Sequence, residues 1–163
     1  MNQAIILSER ENSDMREWSR TNYDDDGAPT WDKYFDKYVI TIKRMKTSDG
    51  QNTIFVFPDG SGLMIKASDF HWCIKADYLN NFSKYRNSAQ CMLFGFYPNY
   101  PSGELSCVIE NFRDKGIEPY ISGNRTTDCT RVNDAQYLYD GHYYAKALQI
   151  SGWKFPKNCQ IDH

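Results

Sequence analysis

The chain has no long hydrophobic run. The apolar stretch near its start is Ala4 to Leu7, and nothing approaches the ~20 residues that a membrane-spanning helix needs. It has no basic start followed by an apolar core, so a signal peptide is not expected at Met1. Positive charge is not in excess either: 19 Lys and Arg against 21 Asp and Glu give a formal charge of -2. A dedicated nucleic-acid binder carries a basic face, so no nucleic-acid partner is expected. Histidine is scarce, at positions 71, 142 and 163, and no Cys-x-x-Cys pair is present, which argues against zinc. Internal repeats and low-complexity tracts are absent. Gly60-Ser61-Gly62 lacks the spacing and the Lys of a phosphate loop.

What the chain does have is aromatic residues: 12 Tyr, 9 Phe and 4 Trp in 163 residues. Tyr and Trp suit half-buried surfaces, where a ring packs and a polar tip stays wet. With 40% hydrophobic and 25% charged residues the composition is that of a folded domain, and the length suits one domain. We read 1–163 as that single domain, with 1–29 as an N-terminal helix and acidic loop and 30–163 as helix plus sheet core. The five cysteines, Cys73, Cys91, Cys107, Cys129 and Cys159, leave two readings open. They are buried thiols of a cytoplasmic protein, or they form one or two disulfides in an exported one.

Residues 8–19 are polar and helix-compatible, with Met15 and Trp18 three apart. The run Asp24-Asp25-Asp26-Gly27 breaks the chain into a solvated loop rather than a metal site. From Thr30 as N-cap, Trp31, Tyr34, Phe35, Tyr38, Val39 and Ile42 recur at helical spacing, which predicts an amphipathic helix with an aromatic core face. Residues 53–57 and 62–67 flank Pro58-Asp59-Gly60-Ser61 and predict a β-hairpin. The segments FHWCIKADY and AQCMLFGFY predict two further strands across a polar, Asn-rich connection. The expected fold is α+β: an antiparallel sheet of about four strands packed on the helix from Thr30. A helix over 102–115, a long irregular excursion over 117–141 and a last helix over 143–150, stopped by Gly152, complete the pattern.

Catalytic chemistry finds little support. Cys73 or Cys107 with His142 is a Cys/His pair on paper only, without the local signature of a cysteine nucleophile. His71 lies beside Trp72 in an expected strand and reads as an exposed or hydrogen-bonded strand residue rather than a base. The tripeptides at Asn81 and Asn124 match the glycosylation pattern, which arises often by chance.

The most specific constellation is an order of elements. A helix bearing Trp31 and Tyr38 is followed by TIFVFPDGSGLMI, a cysteine in a polar loop, and the ending YDGHYYAKALQISGWKFP. Over roughly residues 31–157 this resembles the globular head of type IV pilin-like proteins and type II secretion pseudopilins of bacteria. The resemblance implies a structural subunit that works through protein contacts with other pilin-like subunits or a protein partner, and not an enzyme. It implies a location outside the cytoplasm, with membrane attachment only through an N-terminal anchor helix that this sequence does not contain. Residues 2–18 would then be the end of that long helix and the segment just after it. It also implies a disulfide at Cys129, with Cys159 or Cys107 as partner, because Tyr144 stands where such sequences often have cysteine. Trp153 and Phe155, like Trp31 and Tyr38, would be packing anchors, with the tail folded back over the sheet. The loop over 122–139 would face neighbouring subunits. Pseudopilins can hold calcium in a late loop, and Asp128, Asn133, Asp134 and Asp140 are the oxygen donors of the comparable region here. No other cofactor is expected. The rival reading is a small cytoplasmic inhibitor or immunity-type protein of phage or toxin-locus origin, which the composition fits equally well.

Overall fold

A computed structural model describes residues 1–19, 26–86, 89–97, 112, 115–121 and 143–154. Helix α1 (Asn2–Asn12) leads through a 3₁₀ turn, Met15–Glu17, to α2 (Ala28–Tyr34). Five strands come next: β1 (Lys43–Lys46), β2 (Thr53–Val56), β3 (Gly62–Lys66), β4 (Asp69–Cys73) and β5 (Cys91–Phe96). Between β4 and β5 the chain coils through a 3₁₀ segment, Ala76–Asn81, into α3 (Phe82–Tyr85). Strand β6 (Ile117–Pro119) and helix α4 (Tyr144–Ile150) complete the described elements.

The strands form one antiparallel sheet in the order β1-β2-β3-β4-β5-β6, so each pairs with its neighbour in sequence. The sheet therefore has six strands where about four were expected from the pattern. The two extra strands are the edges, and neither carries a run long and apolar enough to stand out. Strand β1 is Lys-Arg-Met-Lys, almost wholly exposed, and β6 is three residues long. Charged and short edges are how sheets avoid pairing with other chains, so their sequences look like loop.

The predicted hairpin is present. Phe57 N–H donates to the Ser61 carbonyl (2.9 Å) and Gly60 sits at φ 84°, the left-handed region that its missing Cβ makes cheap. Asp59 locks the turn by accepting from the backbone and hydroxyl of Ser61 at 2.9 and 2.7 Å.

Two helix boundaries differ from expectation. The N-terminal helix spans Asn2–Asn12 rather than 8–19; it stops where Ser13 turns to φ 63°, and Asp14 caps the 3₁₀ turn instead. Helix α2 starts after Gly27, not at Thr30, and ends at Tyr34 rather than running to Ile42. The backbone N–H groups of Phe35 and Asp36 both return to the Trp31 carbonyl, and Ile42 N–H already donates to Val56 of β2. Strand pairing has captured the last part of the apolar stripe. Ile40 and Ile42 are consequently exposed, at 77% and 64%, while Trp31, Tyr34 and Phe35 are buried as expected.

Strand alternation sorts the core into two faces. On the first face lie Phe55, Leu63, Ile65, Phe70 and Phe96, covered by Trp18, Trp31, Phe35 and by Ile5 of α1. Trp31 stacks on Phe55 with centroids 4.3 Å apart, and Trp18 stacks on Tyr34 at 4.2 Å. Tyr38 is half-buried against this cluster. On the second face lie Ile54, Val56, Met64, Cys73 and Cys91, covered by Ala76, Leu79 and Phe82. Helix α4 packs through Ala145 and Leu148 onto Met92, with Trp72 and Phe94 against them.

Gly62 sets how closely the second layer can sit. A Cβ there would lie 2.8 Å from both Cα and Cβ of Ala76, closer than packed atoms allow. Gly62→Ala should therefore push the 76–85 layer off the sheet and cost about 1–3 kcal/mol, the usual range for overpacking. Urea unfolding checks this; an unchanged midpoint would mean the layer is not seated there.

Candidate functional site

Register decides which side chains share the second face. Ile54, Met64, His71 and Leu93 form one row across β2 to β5; Lys66, Asp69 and Gly95 form the next. The row Val56, Gly62, Cys73 and Cys91 lies on the other side of the first. The segment from Ala76 to Tyr85 covers that last row through Ala76, Leu79 and Phe82 and reaches Ile54 and Met64 of the first, with Phe82 against the His71 ring. The rest of the face is the floor of a cleft of about 680 Å³, the size of a small-molecule site.

Met64, His71 and Leu93 make the apolar part of that floor, with Lys66 and Asp69 beside them. Phe82, Ser83 and Arg86 line it from the layer after β4, and Tyr120, Tyr143 and Tyr144 from the β6 and α4 side. Thr47, Asp49 and Asn52 close the end formed by the β1–β2 turn. The tyrosine side is anchored by a chain of polar contacts. Lys146 of α4 donates to Gln149 (2.7 Å), which donates to Glu118 of β6 (2.8 Å). Burial pulls the Lys146 ammonium below its usual range, while Glu118 works the other way.

His71 lies on the floor of the cleft. Its ring lies 4.1 Å from that of Phe82, centroid to centroid, and its Nδ1 is shut off from solvent with no hydrogen-bond partner among the described residues. Burial, with the positive charges of Lys66 and Arg86, holds its pKa at about 3, so the ring is neutral at physiological pH. The two carboxylates of the cleft already have partners. Asp49 accepts from Thr47 Oγ1 (2.5 Å) and Gln51 N–H (3.0 Å), which with Lys66 hold it below the usual carboxylate range. Asp69 accepts from the Tyr97 hydroxyl (2.7 Å), and burial raises its pKa.

The sequence placed His71 on a strand correctly; the residue is half-buried, and its Nδ1 is the part of the ring shut off from solvent. The signal was the shared parity of Asp69, His71 and Cys73, which puts them on one face; only the register shows what covers that face. Cys73 and Cys91 are cross-strand partners and form a disulfide. Cys73 therefore offers no free thiol for a Cys/His pair. The pairing expected from the resemblance involves Cys129, Cys159 and Cys107, which lie outside the described residues, as do His142, Phe155 and the calcium candidates Asp128, Asn133, Asp134 and Asp140. Trp153 departs from the expected anchor: it is 57% exposed, and the chain turns left-handed there, at φ 62°, after α4. Asp26, expected in a solvated loop, instead ties that loop to the sheet by accepting from Ala28 N–H, Thr53 Oγ1 and Lys46. Among the described residues no group of three or more His, Cys, Asp or Glu could hold a metal, and no helix is long and apolar enough to cross a membrane.

The model of a family of unknown function (DUF6613) matches residues 1–160. No curated protein matches the chain. No solved structure matches it either.

Proposed function

We propose that this chain, which belongs to that family, is an exported head domain acting through protein contacts, in the manner of a pilin-type subunit, and not through a reaction of its own. The observation that carries the reading is the Cys73–Cys91 disulfide, which joins two central strands with both residues fully buried. Disulfides persist in oxidising compartments and are rare in the cytoplasm. A helix laid against the sheet ahead of it also supports the pilin-type form. Ala4 and Ile5 of α1 enter the first-face core, and the Asn2 side chain accepts from Ile117 N–H of β6 at 3.0 Å. That is where the resemblance puts the end of an anchor helix.

The test is the state of the cysteines in protein taken from its native cell. Non-reduced peptide mapping should recover a Cys73–Cys91 linked pair, with the chain in the envelope or extracellular fraction. Free thiols at both positions, in a cytosolic fraction, would sink the exported reading and favour the cytoplasmic inhibitor. The bridge closes a loop with a sequence separation of 18, so removing it by replacing both cysteines with Ala should lower stability by about 3 kcal/mol. Denaturant unfolding of the double variant against the oxidised parent measures that loss.

A further inference from the structure

We propose that the end of the cleft formed by the β1–β2 turn is a binding site for a neutral sugar, whose hydroxyl groups pair with Asp49, Asn52 and Asn80. The fold brings these three side chains together and then leaves part of each unused. Thr47 N–H donates to the Asn52 carbonyl (2.9 Å), and Thr47 Oγ1 donates to Asp49 Oδ1 (2.5 Å). Ser48 N–H donates to Asn80 Oδ1 (2.9 Å), which fastens the layer after β4 to the same turn. Those bonds use one oxygen of Asp49 and the amide oxygen of Asn80. Among the described residues, the second oxygen of Asp49, Nδ2 of Asn80 and the whole side-chain amide of Asn52 make no hydrogen bond. Asn52 weighs most. It is only 8% exposed and its amide has no partner among those residues, yet unlike His71 Nδ1 it is not sealed from solvent. The space that Asn52 lines is the cleft, so its amide opens there. Buried polar groups almost always find a partner, and a ligand in that space would supply one.

The lining sets the class of ligand. Lys66 and Arg86 are matched by Asp49 and Asp69, and His71 is neutral, so the cleft favours neither an anion nor a cation. Asp49 is the one carboxylate of the three groups, with Lys66 acting on it, and that is too little negative charge to hold a metal ion. What this end offers is an acceptor at Asp49, a donor at Asn80 and both at Asn52. A hydroxyl donates and accepts at a single atom, so the neighbouring hydroxyls of a sugar match such a mixed set. A peptide amide has its donor and its acceptor on opposite sides and matches it less well. Met64 and Leu79 also line the cleft and give apolar surface for the C–H face of the ring, and about 680 Å³ is room for a mono- or disaccharide. The site goes beyond the protein-contact role and does not depend on it.

Methyl α-glucoside, methyl β-galactoside and methyl α-mannoside, titrated separately into the full chain, test the site, with the side-chain amide NMR signals of Asn52 and Asn80 as the readout. The expected result is saturable movement of both signals with at least one glycoside by about 50 mM, the range of a weak small-ligand site. Asp49→Asn keeps an oxygen for Thr47 and Gln51 and turns the other into a donor, so it should weaken that binding about tenfold. Asn52→Ala removes an amide that makes no hydrogen bond among the described residues and should weaken binding about as much, with urea unfolding showing that both variants are folded. Calcium ions and N-methylacetamide are the competing probes. Movement of the same signals by either of these and by no glycoside, glycoside binding unchanged in both variants, or no movement with any glycoside at about 50 mM would overturn the site.

Discussion

Replacing Trp31 with Ala is expected to cost about 4 kcal/mol, near the top of what a single core truncation removes. Trp31 has 0% exposure and joins the helical layer to the sheet. Its ring stacks on Phe55 of β2, and Phe35 and Phe57 lie at 5.8 and 6.3 Å. Its indole N–H donates to Asp36 Oδ1 at 3.1 Å, the same oxygen that receives Arg44 from β1 at 2.5 Å. Truncation would leave a cavity under a short helix that cannot collapse into it, because α2 is only seven residues long and its C-terminal side is pinned by the pairing of Ile42 with Val56. A domain of this size has only about 5–15 kcal/mol in hand, so the variant should unfold at much lower urea with an unchanged slope. Trp31→Phe separates the two contributions. It keeps most of the stack but not the N–H, and since Asp36 retains Arg44, it should cost about 1–2 kcal/mol. Equal losses in the two variants would mean that the hydrogen bond, and not the stacked ring, holds the layers together.

The same residue shows what the sequence makes legible. The spacing of Trp31, Tyr34 and Phe35 marks a buried helical face because those rings are buried on a helix end and the turn after it. The continuation to Ile42 obeys the same period and yet is not helix. Periodicity reports which residues repeat, and cannot report that a neighbouring strand offers Ile42 N–H a partner at 2.9 Å. The hairpin around Asp59 and Gly60 was legible because its turn chemistry is local. Strand β1 was not, because its stability comes from pairing with β2 in register, which Lys-Arg-Met-Lys does not encode by itself. In the layer from Ala76 to Tyr85, residues 76–78 read as the end of the strand FHWCIKADY and the rest as the polar loop LNNFSKYRNS, although β4 ends at Cys73 and Ala76, Leu79 and Phe82 carry a three-residue apolar spacing. That short signal is drowned by the asparagines. The cleft was the least legible feature: Lys66 and Arg86 are 5 and 15 residues from His71 in sequence, and only register and the seating of Ala76 on Gly62 bring the three together.

His71 should also make the fold acid-labile in a window where carboxylates do not yet titrate. Its folded pKa of about 3 lies below the usual imidazole value near 6.5. Between those values the unfolded chain binds a proton that the folded chain refuses, so stability falls as pH falls. The charges facing the ring are Lys66 from β3, Arg86 after α3, Asp69 on β4 and Asp49 from the β1–β2 turn, with the phenols of Tyr120, Tyr143 and Tyr144 beyond. The two cations add to burial in the same direction. Each pH unit crossed is worth about 1.4 kcal/mol, so His71 alone should remove about 3 kcal/mol between pH 7 and pH 4. Asp26, Asp49 and Asp59, held below their usual range, give up their share only below about pH 4. Asp69 works in the opposite sense, since burial raises its pKa and its protonation favours the fold. All four carboxylates are common to a His71→Leu variant and cancel in the difference. Leu fills the row between Met64 and Leu93 without a polar atom to strand, so at pH 7 the variant should be as stable as the parent or more so. At pH 4 it should lead by about 3 kcal/mol more than at pH 7. Parallel stability curves from pH 7 to 4, or an imidazole that titrates near 6.5, would place His71 in water.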